Sequence, residues 1–240
     1  MPERSYPIAH RGCSRMHREN TMEALAAAVL RCDVVELDVR ATSDCVLVCM
    51  HDRTLTRTHG QDVHVGRMTW DELRECAPDV PRLEDVLAHL GADAGWIIDC
   101  KVSRPRAIDE LVRVVASVGM SWDSSRQLRS GEPLAYRTAA FESPDAGLLQ
   151  AFRARTGAGC LELIRGSSPA AELALTAPFI TAYAQGVTIP DRLATSRMLR
   201  MLSALRLGTY VYTVNDQQRF DELAEAGASA VFTDDVPDIS

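Results

Sequence analysis

A chain of 240 residues, 46% hydrophobic and 25% charged, has the composition of an ordinary globular protein and the length of one α/β barrel. Its formal net charge of -7 argues against a broad basic face, so no nucleic-acid partner is expected. Seven scattered cysteines without C-x-x-C spacing point to a reduced, cytoplasmic setting, and neither an apolar h-region nor a window of about 18 apolar residues suggests secretion or an integral membrane segment.

The first β-like run is YPIAH (6–10), followed by a helical stretch over 21–31 with Asn20 as N-cap and Glu23 three residues on. VVELDVR (34–40) is the second strand. The apolar run VLVCM (46–50) follows after only about five residues, short of the dozen or more that a parallel crossover needs, so it folds back as a hairpin. A two-residue turn at Ser43 and Asp44 would set Glu36 opposite His51 and Asp38 opposite Cys49. Thr69 with Glu72 makes a capping box for a helix over 70–76. Further strands fall at 96–101 (WIIDCK), 138–142 (TAAFE), 160–164 (CLELI), 184–189 (AQGVTI), 209–214 (TYVYTV) and 230–233 (AVFT). Pro105 and Pro144 sit where first-turn prolines belong, and Gly227 stops the helix in DQQRFDELAEAG. The polar segment 121–137 is read as a long surface loop. Eight strand–helix units predict an α/β fold, a closed (β/α)8 TIM barrel with an extra β-hairpin after strand 2, as a single domain over 1–240.

Two carboxylates interrupt the second strand, and the period of two gives them a common face. Glu36 and Asp38 look into the barrel while Val35, Leu37 and Val39 meet the helices. Asp99 and Lys101 share the inward face of the next strand, and Glu162 has inward parity in CLELI. Carboxylates crowded at the carboxyl ends of neighbouring strands repel one another. Either arginines inside the barrel neutralise them, or a hard divalent cation, Mg²⁺ or Ca²⁺, lies among them. His10 ends the first strand and is followed by Arg11 and Gly12, whereas His17, His59, His64 and His89 lie in loops or on helices and are read as surface residues. Glu19 could pair with Arg11, touch a substrate hydroxyl, or act as a helix-dipole acid before Asn20.

IAHRG, ENT, ELDV, HDRTLTRTHG, a short acid-x-Lys strand, TVN and FTDD occur in this order between residues 8 and 237. Together they resemble the glycerophosphodiester phosphodiesterase family of barrels. The resemblance implies that Glu36, Asp38 and Asp99 hold the metal, that His10 and His51 act as general acid and base, and that Arg11 and Lys101 hold the phosphate of a small-molecule phosphodiester. It also implies a place for Glu19 in the site and a contact of Tyr212 with the alcohol. Glu162 is expected behind the ligands, reaching the metal indirectly or neutralising Lys101.

Such roles suit the chemistry. Cleaving a phosphodiester needs charge neutralised on the non-bridging oxygens, a base for the attacking hydroxyl and an acid for the leaving alkoxide. Histidine suits both proton transfers near neutral pH, and arginine and lysine suit phosphate oxygens. Three departures bear on specificity. MHRENT replaces the family's usual proline before the glutamate, and Tyr212 stands where many members carry tryptophan. Asp99 replaces the commoner glutamate, as in the related sphingomyelinase D-like phospholipases. Three functions therefore compete: a metal-dependent hydrolase of a glycerophosphodiester-like substrate, a lyase releasing a cyclic phosphate, and a barrel that binds a phosphorylated metabolite without turnover.

Overall fold

Ten strands alternate with helices in a computed structural model that describes residues 5–236 except 103, 124, 125 and 131. They are β1 (Tyr6–Ala9), β2 (Val34–Ala41), β3 (Leu47–Cys49), β4 (Gly95–Cys100), β5 (Ser121–Trp122), β6 (Thr138–Ser143), β7 (Cys160–Leu163), β8 (Gly186–Pro190), β9 (Gly208–Tyr212) and β10 (Ala230–Thr233). Eight of them pair in parallel in the order β1, β10, β9, β8, β7, β6, β4, β2, and Ala9 pairs with Val35 to close the ring. The result is a TIM barrel, as the alternation of elements predicts.

The longer helices lie where their apolar residues can cover the barrel. The helix Pro105–Ser117 begins on its proline and buries Ala107, Ile108, Leu111, Val114 and Val115, a spacing that puts all five on one side. Thr69 and Glu72 form the expected capping box. Pro144, by contrast, lies just outside the helix Ala146–Thr156, whose N-cap is Asp145. The first helix is Met22–Val29 with Thr21 as its cap, which frees Asn20 for another task. Among the described residues no helix is long and apolar enough to cross a membrane.

The hairpin forms with a register one residue away from the expected one. Val39 faces Cys49, Arg40 faces Val48 and Ala41 faces Leu47. The cause is the turn: Thr42 N–H bonds to Val46 O and Cys45 N–H to Thr42 O, while Cys45 itself takes φ 73°. Three residues rather than two make the connection, with the last in the left-handed region, as in a type I turn completed by a bulge. The hairpin does not hang free. Val48, Met50, Leu55, Val65, Leu73, Ala77 and Val80 bury one another beneath it.

The segment 121–137 is also different from the expected surface loop. It contributes β5 and a short helix, Arg126–Ser130, and sends Leu128 and Leu134 under the barrel to join the inward-facing Tyr6, Ile8, Val34, Ile97, Leu161, Tyr210 and Phe232. Close approach requires glycine at Gly208, where a Cβ would fall 1.9 Å from the Leu128 carbonyl oxygen. The amino-terminal end of the barrel is thereby plugged, which leaves the opposite end for chemistry.

Candidate active site

At the carboxyl ends of the strands a cavity of about 210 Å³ is lined by His10, Arg11, Glu36, Asp38, His51, Asp99, Lys101, Glu142, Leu163, Arg165, Gly166, Thr188, Tyr212 and Phe232. Strand register explains much of this list. Asp38 pairs with Asp99 and Asp99 with Glu142, so three neighbouring strands each present a carboxyl group at the same level of one inward face.

Glu36, Asp38 and Asp99 are buried, and each offers an oxygen within 4.8 Å of the others. Burial, and Asp38 beside it, push the Glu36 carboxyl well above its ordinary range. Burial works the same way on Asp99, raised to about 6 even with Lys101 in contact. Asp38 is the exception. Burial opposes its charge, but Lys101 and Arg11 more than offset that and hold it below the usual carboxylate range. Its partners are Lys101 Nζ at 3.0 Å, Arg11 Nε at 3.1 Å and the Asn20 amide, which donates to Oδ2 at 2.8 Å. Lys101 also contacts Asp99, whose Oδ1 is buried without a hydrogen-bond partner. Three converging all-oxygen donors, one of them unsatisfied, fit a hard divalent cation.

The loop after β1 is shaped to serve this cluster. Arg11 adopts φ 57° and Gly12 φ 79°, and a Cβ on Gly12 would lie 2.5 Å from the Ala24 carbonyl carbon. In that conformation the Arg11 backbone N–H donates to Glu36 Oε2 at 2.9 Å. Asn20, also at positive φ, grips β2 twice, donating its amide to Asp38 and accepting the Asp38 N–H at 3.0 Å. It is a site residue, not the helix cap expected for it.

Both histidines on the cavity are held through Nδ1. His10 Nδ1 meets Asp234 Oδ1 at 2.7 Å, and Asn215 donates to the other Asp234 oxygen at 3.0 Å while accepting the Asp234 N–H. Burial disfavours the Asp234 charge, but His10 and Asn215 outweigh it and keep the carboxyl strongly ionised. His51 Nδ1 meets Asp52 Oδ1 at 2.7 Å, and burial lowers its pKa. Asp52 receives Arg57 Nε at 2.6 Å, Arg57 reaches Glu19 at 2.6 Å, and Glu19 accepts from Arg11 at 3.1 Å. Glu19 is therefore a link between the two arginines. In each histidine the Nε2 is the nitrogen left for the cavity.

Some expected residues come together here and others do not. His10, Arg11, Glu36, Asp38, His51, Asp99, Lys101 and Tyr212 share the cavity, and the Tyr212 hydroxyl donates to Ile164 O at 2.7 Å. Glu162 lies elsewhere. Leu161 is in the inner barrel core and Leu163 on the cavity, so the residue between them faces the helices, where Tyr183 donates to it at 2.5 Å. His59 is not a surface side chain either: it is 8% exposed and meets Asp79 at 2.9 Å. Glu142 takes the inward place that parity had assigned to Glu162. Burial raises its pKa to about 8, and Thr188 donates to it. Asp52, Arg57 and Asn215 join the site from motifs whose members carry no individual role in the sequence.

Comparison with known proteins agrees with this geometry. Residues 10–238 match the model of the glycerophosphoryl diester phosphodiesterase family. A glycerophosphodiester phosphodiesterase from Bacillus subtilis is 25% identical over 260 residues, covering 99% of this chain and 86% of that protein. One from Caldanaerobacter subterraneus is 42% identical over 69 residues, covering 28% of each. Among solved structures, glycerophosphodiester phosphodiesterase from Thermotoga maritima has the same fold with a TM-score of 0.77 at 23% identity, over 98% of this chain and 96% of that one. An Oleispira antarctica phosphodiesterase in complex with the product sn-glycerol-3-phosphate superposes with a TM-score of 0.74 at 21% identity, over 97% and 94%.

Proposed function

The chain belongs to the glycerophosphoryl diester phosphodiesterase family and is a phosphoric diester hydrolase, and on that premise we propose that it cleaves a small glycerophosphodiester-like substrate to a phosphomonoester and an alcohol by metal-dependent histidine acid–base catalysis. The observation that carries this proposal is the pair of histidines, each fixed through Nδ1 by its own carboxylate and each on the cavity that holds the carboxylate cluster. Binding alone requires no such pair.

Glu36, Asp38 and Asp99 would hold Mg²⁺ or Ca²⁺. When bound, the cation supplies positive charge to the non-bridging oxygens of the phosphate. The chain's own groups do the rest. Lys101 uses Nζ on Asp38 and Asp99, and an ammonium carries three donors, so one remains for phosphate. Arg11 likewise retains guanidinium N–H groups beyond those facing Glu19 and Asp38. Fixing each Nδ1 against a carboxylate directs the Nε2 of His10 and His51 to the substrate, one to take the proton of the attacking hydroxyl and the other to give one to the leaving alkoxide. Tyr212 and Phe232 offer the alcohol a wall. The catalytic domain spans the whole chain in this proposal, although its ends, 1–4 and 237–240, lie outside the described residues. Six of the seven cysteines are buried thiols, which suits a reducing, cytoplasmic setting.

Phosphorus NMR on a glycerophosphodiester provides the test. A phosphomonoester should form, stop forming after exhaustive chelation, and return with Mg²⁺ or Ca²⁺. His10→Asn and His51→Asn should each slow turnover by about 10²-fold or more. Full turnover after chelation would remove the metal from the mechanism. Accumulation of a cyclic phosphate, with no ¹⁸O entering from labelled water, would make the protein a lyase.

A further inference from the structure

Among the charged side chains on the cavity, Arg165 alone has no hydrogen bond or ion pair from its side chain to another described residue. The other cations are matched: Arg11 with Glu19 and Asp38, Lys101 with Asp38 and Asp99. The anions at the histidine side of the mouth are matched too. Glu19 and Asp52 bind Arg57, and Asp234 binds His10, Asn215 and Ser14. On the histidine side of the mouth a cationic alcohol meets no unpaired carboxylate, whereas an anionic one meets the unpaired Arg165 guanidinium.

Arg165 is also held ready. Its carbonyl accepts the Ser168 N–H at 2.9 Å, closing a turn over 165–168. Arg192 clamps that turn from outside, with Nε donating to Gly166 O at 2.7 Å and the guanidinium reaching Ser168 O as well. On the inner side Tyr212 donates to Ile164 O at 2.7 Å, and Ile164 N–H bonds to Thr188 O at 2.8 Å. A backbone anchored at both ends reduces the ordering cost of binding through the one side chain left unpartnered.

Resting on the phosphodiesterase assignment above, we propose that Arg165 makes the enzyme selective for diesters whose alcohol carries a second anionic group. A guanidinium fork matches phosphate or carboxylate oxygens with charge-assisted hydrogen bonds.

The experiment compares kcat/KM for the glycerol 3-phosphate diesters of choline, glycerol, glycolate and glycerol phosphate, in the wild-type enzyme, Arg165→Ala and Arg165→Glu. The wild type should favour the two anionic alcohols over choline by about tenfold or more. Arg165→Ala should abolish that ratio, Arg165→Glu should reverse it towards choline, and added salt should shrink the preference in the wild type and in Arg165→Glu while leaving Arg165→Ala without one. A larger ratio for glycerol phosphate than for glycolate would identify phosphate as the preferred group. An equal loss on all four diesters would mean that Arg165 grips the scissile phosphate, and the absence of any preference in the wild type would equally overturn the proposal. A binding arm separates this proposal from the assignment it rests on: propane-1,3-diol bisphosphate should bind at least about tenfold more tightly than the monophosphate by calorimetry, and Arg165→Ala should remove the difference. If that difference holds while no diester is turned over, the hydrolase assignment fails and the anion site stands. If diesters are hydrolysed but neither ratio depends on Arg165, the anion site alone fails.

Discussion

The floor and the mouth of the barrel are built by the same strands, two residues apart on the same inward face. Val34 gives way to Glu36 and Asp38 on β2, Ile97 to Asp99 on β4, Ala140 to Glu142 on β6, and Ile8 to His10 at the end of β1. At the floor these positions are apolar, covered by Leu128 and Leu134, and each large side chain removed from water contributes roughly 1.5–3 kcal/mol. At the mouth the buried positions Glu36, Asp38, Asp99 and Glu142 carry acidic groups whose charge burial disfavours. Stability and chemistry are therefore segregated along a single repeat of the strand, and substitutions at the two ends should have opposite signatures.

The largest effect is expected at the mouth. In Glu36→Gln the amide oxygen can still accept the Arg11 N–H, but a charge is lost from the proposed cation site. Loss of groups behind a metal ligand commonly costs 10- to 100-fold, so removing a proposed ligand should cost more than about 10²-fold in turnover. Relief of like-charge crowding should leave the chelated protein as stable as the wild type or up to about 4 kcal/mol more so. Denaturant unfolding with chelator present, alongside turnover with Mg²⁺ or Ca²⁺, checks both halves. A variant that is less stable yet active would erase the distinction between the two ends.

Gly208→Ala is the counterpart at the floor. Its new Cβ would overlap the Leu128 carbonyl and force the plug away from β9. Overpacking of this kind costs about 1–3 kcal/mol, with Tm falling roughly 2–4 °C for each kcal/mol in a chain of this size. Turnover per folded molecule should not change. A drop in kcat at unchanged Tm would show that the floor is coupled to the chemistry.

How much of this the sequence discloses also differs between the ends. Glu36, Asp38 and Asp99 are legible because charge in an otherwise aliphatic strand demands compensation, by an arginine or by a cation, and strand parity then fixes their direction. Glu162 misleads because CLELI is a short strand with apolar residues on both parities, so only pairing with its neighbours sets its phase. Asn20 is hidden by its own chemistry: asparagine before a helix is a common cap, and nothing local reveals a hydrogen bond to a strand 18 residues on. The hairpin slips because Cys45 takes a conformation rarely adopted by cysteine. The plug is the least legible part. Leu128 and Leu134 stand alone in a polar segment with no periodicity, and their burial depends on glycines at Gly95 and Gly208, far away in sequence.

Glu142 sharpens the comparison with the smallest expected effect, since it is a mouth residue as buried as any floor residue. Burial, with Asp99 adding repulsion, raises its pKa to about 8 in the fold, against an ordinary value near 4.5 when unfolded. A carboxyl raised in this way binds its proton more tightly in the native state. Below about pH 4.5 both states are protonated and the group contributes nothing to the pH dependence. As pH rises through the range from about 4.5 to 8, the unfolded chain ionises while the native one does not, and wild-type stability declines. Glutamine has no proton to lose and can still accept the Thr188 hydroxyl. Glu142→Gln should thus gain on the wild type as pH rises across that window, and the gain should level off above about pH 8. Unfolding curves at several pH values with chelator present measure it. Added Mg²⁺ or Ca²⁺ should flatten the difference, because a cation among Glu36, Asp38 and Asp99 favours the ionised form of a neighbouring carboxyl. A difference that stays flat without metal would mean that Glu142 is already ionised in the fold and balanced there by Lys101.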